Sequence, residues 1–325
     1  MTVLNKRKTF LDLFPTPEFL LLSTVGIVIT DLHTKFVQLR REIFGDGFRL
    51  VHLDKSDNPK GAIESGLIKN PEAIRDILKK FALGHGVRYA HATLPEEKAY
   101  LFTASIDRVP LEGLRDAVAF IIEGNAPVSL SESVFDFEII NKNESVGDIK
   151  LAVSVLPESI VNSYIELFES AGITPISFDL ESQAVARAVI RPGDKSSNLI
   201  VNLSREKTGF YVIEESVVQF STTFSYGVGE DDSYPNLNDL KEEVHKVFAF
   251  WSARSGKNIE KVILCGPGSN KEDFIMKLMS ESSVEHNMAD AWLNMSPTHS
   301  HAPEILDEES VDYAPAIGLV LPRMG

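Results

Sequence analysis

The residues able to do chemistry in this chain gather at three bends. The first runs Val28-Ile29-Thr30-Asp31, with Lys35 just beyond it. The second runs Asn202-Leu203-Ser204 and continues through Arg205 and Lys207 to Thr208. The third is Gly266-Pro267-Gly268. Two bends facing each other across a cleft can grip a phosphate through exposed backbone N–H groups. Such a site needs glycine for close approach and a carboxylate to hold hydrated Mg²⁺. Neither demand is met, because the first bend offers Val28 and Thr30 and the second offers Asn202 and Ser204. Asp31 reads either as a displaced metal ligand or as a turn-former bonding backbone. Gly266-Pro267-Gly268 reads as a backbone approach to adenine or ribose, or as a tight turn. Lys246 is placed to reach a ribose or phosphate, or is simply solvated. Lys35, Arg205 and Lys207 would attract an anion electrostatically, whatever its identity.

Other constellations carry less. His299-Ser300-His301 with Glu304 has ligand-like residue types but lies in an acidic, loop-like stretch, so no metal site is expected. Neither a Gly-x-Ser-x-Gly elbow nor a Gly-x-x-x-x-Gly-Lys-Ser/Thr phosphate loop occurs. Cys265 reads as core on a buried strand and not as a nucleophile.

The elements that must position these bends follow from hydrophobic periodicity. Val25–Thr30, Thr34–Glu42 and Phe48–Asp54 are short runs rich in β-branched and aromatic residues and read as strands, the last two separated by the turn signal Gly45-Asp46-Gly47. Asn70 and Pro71 open a helix whose stripe is Ile74, Ile77, Leu78 and Phe81, with Gly84 as its expected stop. Val87–Thr93 is a further strand. Residues 98–178 read as a second unit with strands at Ala99–Ile106, Val134–Ile140, Ile149–Leu156 and Pro175–Leu180, and helices after Leu111 and Pro157. The opening pattern then returns. Leu199–Leu203, Thr208–Glu214 and Val217–Phe224 are strands, and an offset of 174 residues lays Thr30 on Ser204, Thr34 on Thr208 and Phe36 on Phe210. A helix over Leu237–Arg254, a strand Val262–Cys265, a helix Lys271–Ser280 and a last helix Tyr313–Leu321 complete the chain. A hairpin-led α/β unit therefore occurs twice.

Composition narrows the function. The 325 residues exceed what one compact core usually serves, so two lobes are expected. A formal charge of −15 repels nucleic-acid phosphate, which argues against DNA or RNA as partner. One cysteine permits no intrachain disulfide and suits a reducing cytoplasm. The longest apolar stretch, Phe19 to Ile29, is too short for the roughly 20 residues of a spanning helix. Residues 1–18 pair Lys6, Arg7 and Lys8 with Phe10, Leu11, Leu13 and Phe14, the composition of a peripheral membrane contact or of a loose tail.

These stretches together resemble the type IV pilus assembly protein PilM family, relatives of the division protein FtsA in the actin-like ATPase superfamily. The likeness runs through Gly26–Asp31, Lys35–Leu39, Leu156–Ser159, Ala171–Pro175, Asp179–Ala188, Leu199–Val212, Val262–Gly268 and Tyr313–Leu319. It implies an actin-like, duplicated ribonuclease H-like two-lobed α/β fold with a small inserted α+β subdomain. The implied division is a tail (1–18), the start of the first lobe (19–97), the insertion (98–178), and a second lobe (179–325) whose last helix returns toward the first. It also implies a cytoplasmic protein at the inner-membrane face, binding the cytoplasmic tail of a PilN-like membrane protein between the first lobe and the insertion. Other pilus platform or motor components would follow as partners, in a pilus or type II secretion system.

The nucleotide site the resemblance implies is altered. Val28 and Asn202 stand where relatives usually carry Asp, and Ser204 replaces a Gly. Glu181 matches the acidic residue of the inter-lobe helix and is the one catalytic candidate; Gly266 and Gly268 keep most of an adenosine loop. ATP or ADP with Mg²⁺ is thus the only cofactor to weigh, with Thr30, Asp31, Lys35, Ser204, Lys207, Thr208, Lys246, Gly266 and Gly268 as its contacts. Phosphoryl transfer leans on metal-held charge neutralisation, so the expectation is a pseudo-ATPase scaffold. The alternatives are an active ATPase or kinase of the same fold, and an FtsA-type filament former. The ending Leu321-Pro322-Arg323-Met324-Gly325 supplies no amphipathic helix for the latter.

Overall fold

The structure, a computed structural model, describes residues 23–42, 47–140, 147–229, 233–295 and 307–323. The 1–18 tail, most of the Gly45-Asp46-Gly47 turn and the His299–Glu304 cluster lie outside the described residues.

Two five-stranded sheets share one topology. In the first, β1 (Thr24–Ile29), β2 (His33–Arg41) and β3 (Phe48–Asp57) form an antiparallel meander, and β6 (Tyr89–Leu94) and β10 (Thr174–Leu180) add in parallel on the far side of β1. In the second, β11 (Asn198–Leu203), β12 (Thr208–Glu214) and β13 (Val217–Phe224) repeat the meander, with β14 (Lys261–Cys265) and β15 (Glu285–Met288) in parallel. The repeat extends to register. Ile27 faces Phe36 and Val201 faces Phe210; Ile29 faces Thr34 and Leu203 faces Thr208. All four equivalences carry the 174-residue offset, because alternate residues of each buried strand enter different cores and a one-residue slip would exchange them. A short hairpin of β4 (Ile63–Glu64) and β5 (Leu67–Ile68) precedes the first helix.

Helix α1 (Pro71–His85) starts as expected, with the Asn70 side chain accepting from the Ala73 N–H at 3.2 Å. It runs past Gly84 and ends at Gly86, whose φ of +66° is the left-handed conformation glycine adopts at little cost. Its stripe packs on the first sheet together with α3 (Glu158–Ser170), burying Ile74, Leu78, Tyr164 and Phe168.

The expected block 98–178 divides. Strands β7 (Tyr100–Ile106), β8 (Ser133–Ile139) and β9 (Ile149–Pro157) form a separate sheet in the order β7-β9-β8. Helix α2 (Leu111–Asn125) covers it with Leu114, Val118 and Ile122 in a core of their own. Its continuation does not belong there: α3 packs on the first sheet, and β10 pairs with β6. Sequence adjacency suggested one unit, but sheet partnership ends it at Pro157.

Between the two large sheets lie α4 (Glu181–Val189) and α7 (Ala314–Val320), crossing so closely that a Cβ on Gly318 would sit 1.8 Å from the Ala184 carbonyl oxygen. Their core joins Val28 and Val37 of the first sheet to Ile200, Tyr211 and Ile263 of the second. Helices α5 (Leu237–Ser255) and α6 (Glu272–Met279) cover the outer face of the second sheet, burying Val247, Trp251 and Ile275. Among the described residues, no helix is long and apolar enough to cross a membrane.

Candidate functional site: an inter-lobe cleft and an adjoining groove

The two equivalent hairpin bends close alike. In the first, the Thr30 N–H donates to the His33 carbonyl at 2.8 Å, Thr30 Oγ1 accepts from the His33 N–H, and the single hydroxyl proton is shared between the His33 carbonyl at 3.2 Å and Glu206 across the cleft. In the second, the Ser204 N–H and hydroxyl donate to the Lys207 carbonyl at 3.0 and 2.7 Å, and Ser204 Oγ accepts from the Lys207 N–H. Both hydroxyls are thus used in local turns, the ordinary behaviour of Ser and Thr at bends.

The bends meet across a cleft of about 430 Å³ whose lining includes Thr30, Asp31, Glu97, Glu181, Glu206 and Lys207. Glu206 reaches over from the second bend. Its Oε1 accepts from Thr30 Oγ1 at 3.1 Å and from the Leu32 N–H. Burial pushes this carboxyl above the ordinary carboxylate value, against the hydrogen bond from Leu32 that favours the charged form. Next to it, Lys207 Nζ lies 2.8 Å from Glu97 Oε2 and 3.3 Å from Glu181 Oε2. Burial alone would lower this ammonium, but Glu181 and Glu97 outweigh it and hold it above its usual value. Burial likewise raises Glu97, yet Lys207 overrides it and keeps the carboxyl below its ordinary value. Glu181 is further held by the Asn202 amide at 3.0 Å, and Glu96 accepts from the N–H and hydroxyl of Ser182.

The other sequence candidates have separate work. Asp31 neither bonds its own turn nor stands free; its oxygens accept the N–H groups of Ser65 and Gly66 at 2.6 and 3.0 Å, pinning the β4–β5 hairpin to the first bend. Lys35 is buried and tied to Asp312, 2.5 Å to the carboxylate and 2.9 Å to the carbonyl. Thr208 is buried and donates to the Tyr226 carbonyl at 2.8 Å. Lys246 pairs with Glu242 and Glu243 of its own helix at the surface. Gly266 and Gly268 do permit a close approach, but to protein. A Cβ on Gly266 would meet the Leu203 carbonyl at 2.6 Å, and one on Gly268 would meet Val228 Cγ2 at 2.4 Å. Val228 is itself buried and hydrogen-bonded through its N–H to the Ser204 carbonyl. Of the sequence candidates, then, Thr30, Asp31, Glu181 and Lys207 come together at the cleft; Glu97 and Glu206 join them unforeseen, with Glu96 buried behind them on Ser182.

Beside the cleft a groove of about 650 Å³ runs between the inserted sheet and the first lobe, along strand β8. Its apolar wall includes Val134, Leu156, Val161 and Phe178. The Arg115 guanidinium stacks 4.4 Å from the centre of the Phe135 ring on the insertion side. At the other end Asp179 is shared by Arg187 at 2.9 Å and Arg323 at 2.7 Å. β8 is the outer strand of its sheet, so one row of its backbone groups has no strand partner in that sheet.

The architecture and the motifs place the chain among known proteins. No curated protein matches it in sequence. Among solved structures, it is similar to one described as the PilM–PilN type IV pilus biogenesis complex, with a TM-score of 0.77 and 19% identity over 93% of this chain and 98% of that one. It is also similar to the ethanolamine utilization protein EutJ of Carboxydothermus hydrogenoformans, with a TM-score of 0.52 and 10% identity over 94% and 90% of the two chains. Both likenesses establish the fold, which is actin-like. Residues 26–231 match the type IV pilus assembly protein PilM family, and the chain belongs to that family.

Proposed function

We propose that this chain is a cytoplasmic scaffold of a type IV pilus inner-membrane assembly platform, which holds the cytoplasmic tail of a PilN-like membrane protein in the groove along β8. The groove is the observation that carries the reading. It offers an apolar wall for side chains and the outer edge of β8 for main-chain hydrogen bonds, the two things an extended peptide needs. Membership of the PilM family and the likeness to a chain solved in a complex with PilN support the same partner. Other platform or motor components would dock elsewhere on the body, and the basic, aromatic segment 1–18 would supply any peripheral contact with lipid.

The actin-like fold implies a Mg²⁺-nucleotide in the inter-lobe cleft, and the cleft residues do not fit one. Asp31, Glu97, Glu181 and Glu206 outnumber Lys98 and Lys207 around the cavity, so a triphosphate would meet net negative charge. The bend N–H of Leu32 already donates to Glu206. The reading is therefore a pseudo-ATPase whose work is docking.

The test is fluorescence anisotropy with a labelled peptide carrying the PilN-like tail. Wild type should bind it saturably. Val134→Arg, which places a charge on an exposed residue of the groove wall, should weaken binding by about tenfold, as loss of a central apolar contact does. A fully folded wild type that leaves the peptide free would refute the proposal.

A further inference from the structure

We infer that Glu206 and Lys207 are a built-in ligand: the side chains of the second bend occupy, as an anion and a cation, the places that a phosphate and its metal take in a cleft of this kind. The lobes are thereby held closed with no nucleotide. This goes beyond the loss of metal-binding acids, which would leave the two bends unconnected. Here they are bridged across the cleft, by groups of the required charges.

Three observations converge. First, an anion is expected on the backbone N–H groups of a bend, and the carboxylate of Glu206 is what the Leu32 N–H meets, with the Thr30 hydroxyl as second donor. The bond crosses between the lobes, joining residues that are 176 apart in sequence for the Thr30 contact. Second, a cation is expected among the cleft acids, and Lys207 sits between Glu97 of the first lobe and Glu181 of the inter-lobe helix α4. A lysine ammonium is a compact charge with three donors, which suits it to replace a hydrated ion among carboxylates. Third, the bend that carries both residues is anchored from behind. The Arg205 guanidinium donates to the Gly229 carbonyl at 2.9 Å, and the Val228 N–H donates to the Ser204 carbonyl at 2.8 Å. Gly227 is so close to the bend that a Cβ there would lie 2.5 Å from the Lys207 nitrogen. The segment that supports the bend also places Val228 against Gly268, filling the space beside the third loop.

The experiment is hydrogen exchange read by mass spectrometry on the segment containing Leu32, in the full chain, with and without Mg²⁺-ATP. Wild type should show strong protection that millimolar Mg²⁺-ATP does not increase. Glu206→Ala should exchange at Leu32 on the order of tenfold faster, since a charge-assisted bond is lost. Glu206→Gln, which keeps the shape and one acceptor oxygen but not the charge, should fall between the two and serves if the alanine variant does not fold. Inorganic pyrophosphate should restore protection in the alanine variant and do nothing in wild type. Leu32 protection that rises with Mg²⁺-ATP in wild type, or exchange at Leu32 that neither Glu206 variant changes, would overturn the inference. Tail binding in the β8 groove is read by a separate assay, so the two proposals fail independently.

Discussion

Replacing Lys207 by methionine tests the electrostatics of the cleft. The substitution keeps most of the side-chain volume and removes the ammonium. It strands Glu97 and Glu181, whose oxygens stand 2.8 and 3.3 Å from Nζ and whose side chains are only 22% and 10% exposed. Breaking a buried ion pair by removing one partner costs about 3–5 kcal/mol, because the remaining charge keeps its desolvation penalty and loses its compensation. The partial solvent access of Glu97 trims this, and a loss of about 2–4 kcal/mol is expected, a large share of the roughly 5–15 kcal/mol that holds a typical fold. Urea unfolding followed by tryptophan fluorescence reads it as a fall in the midpoint. The pH dependence has a definite sign. In wild type Lys207 depresses Glu97, so the pair's contribution is present above the ordinary carboxylate value and is lost as pH falls through the depressed folded value. Without Lys207, burial is opposed only by the backbone hydrogen bond to Glu97 and by Lys98, so the carboxyl should rise from its depressed value and the variant should lose less stability than wild type as pH falls from 7 toward 5. Glu97→Gln in the Lys207→Met background should recover part of the loss, with a coupling of about 1–3 kcal/mol. A loss under about 1 kcal/mol, or strict additivity of the two substitutions, would show that Lys207 is not what compensates these acids.

Two further outcomes follow from the inter-lobe packing and the first sheet. Gly318→Ala drives a Cβ to 1.8 Å from the Ala184 carbonyl oxygen, a backbone atom that cannot rotate away. It should cost about 1–3 kcal/mol or more, read as a lowered urea midpoint, while the β8 groove retains the peptide in whatever fraction stays folded. His91 is held below its ordinary value, chiefly by burial and also by Arg187 and Arg323, against the pull of Asp179. Below about pH 6.5 the unfolded chain takes up a proton that the folded chain declines, so stability is lost as pH falls toward the folded value. His91→Gln should therefore make stability less steeply dependent on pH between 7 and 5.5, and an unchanged slope in urea titrations would contradict this assignment.

The repeated hairpin was legible because its signal is local. Short runs rich in β-branched residues, bounded by turn signals, mark Thr24–Ile29 and Asn198–Leu203 as strands buried on both faces, and the shared offset follows without any tertiary knowledge. What escaped was non-local. The pairing of β10 with β6 joins segments separated by the whole insertion, so sequence order groups the strand Pro175–Leu180 with the unit 98–178, whereas it belongs to the first sheet. Strand β15 is fully exposed and reads Glu-His-Asn-Met, with no apolar face to betray it; backbone pairing with β14 alone defines it. The cleft divided in the same way. Thr30, Asp31, Glu181 and Lys207 were found from bend chemistry and family resemblance. Glu96, Glu97 and Glu206 sit in charged turns whose ordinary fate is solvation, and only the fold brings Glu97 to Lys207 and Glu206 to Leu32. Glu206 had one available signal, its position inside the bend next to Lys207. Lys35 and Thr208 misled for the opposite reason, since their types suit an anion site while Asp312 and the Tyr226 carbonyl already hold them.

The three-stranded insertion enters and leaves the molecule at neighbouring points. Tyr100 pairs with Val155 at the start of β7, and Pro157 closes β9 where α3 begins. Its hydrophobic interior, around Val118 and Val153, is its own. A cassette with abutting ends and a private core can be exchanged between relatives as one piece, and because it carries one bank of the groove, transplanting it would reshape that groove while α4, α7 and both large sheets stay as they are.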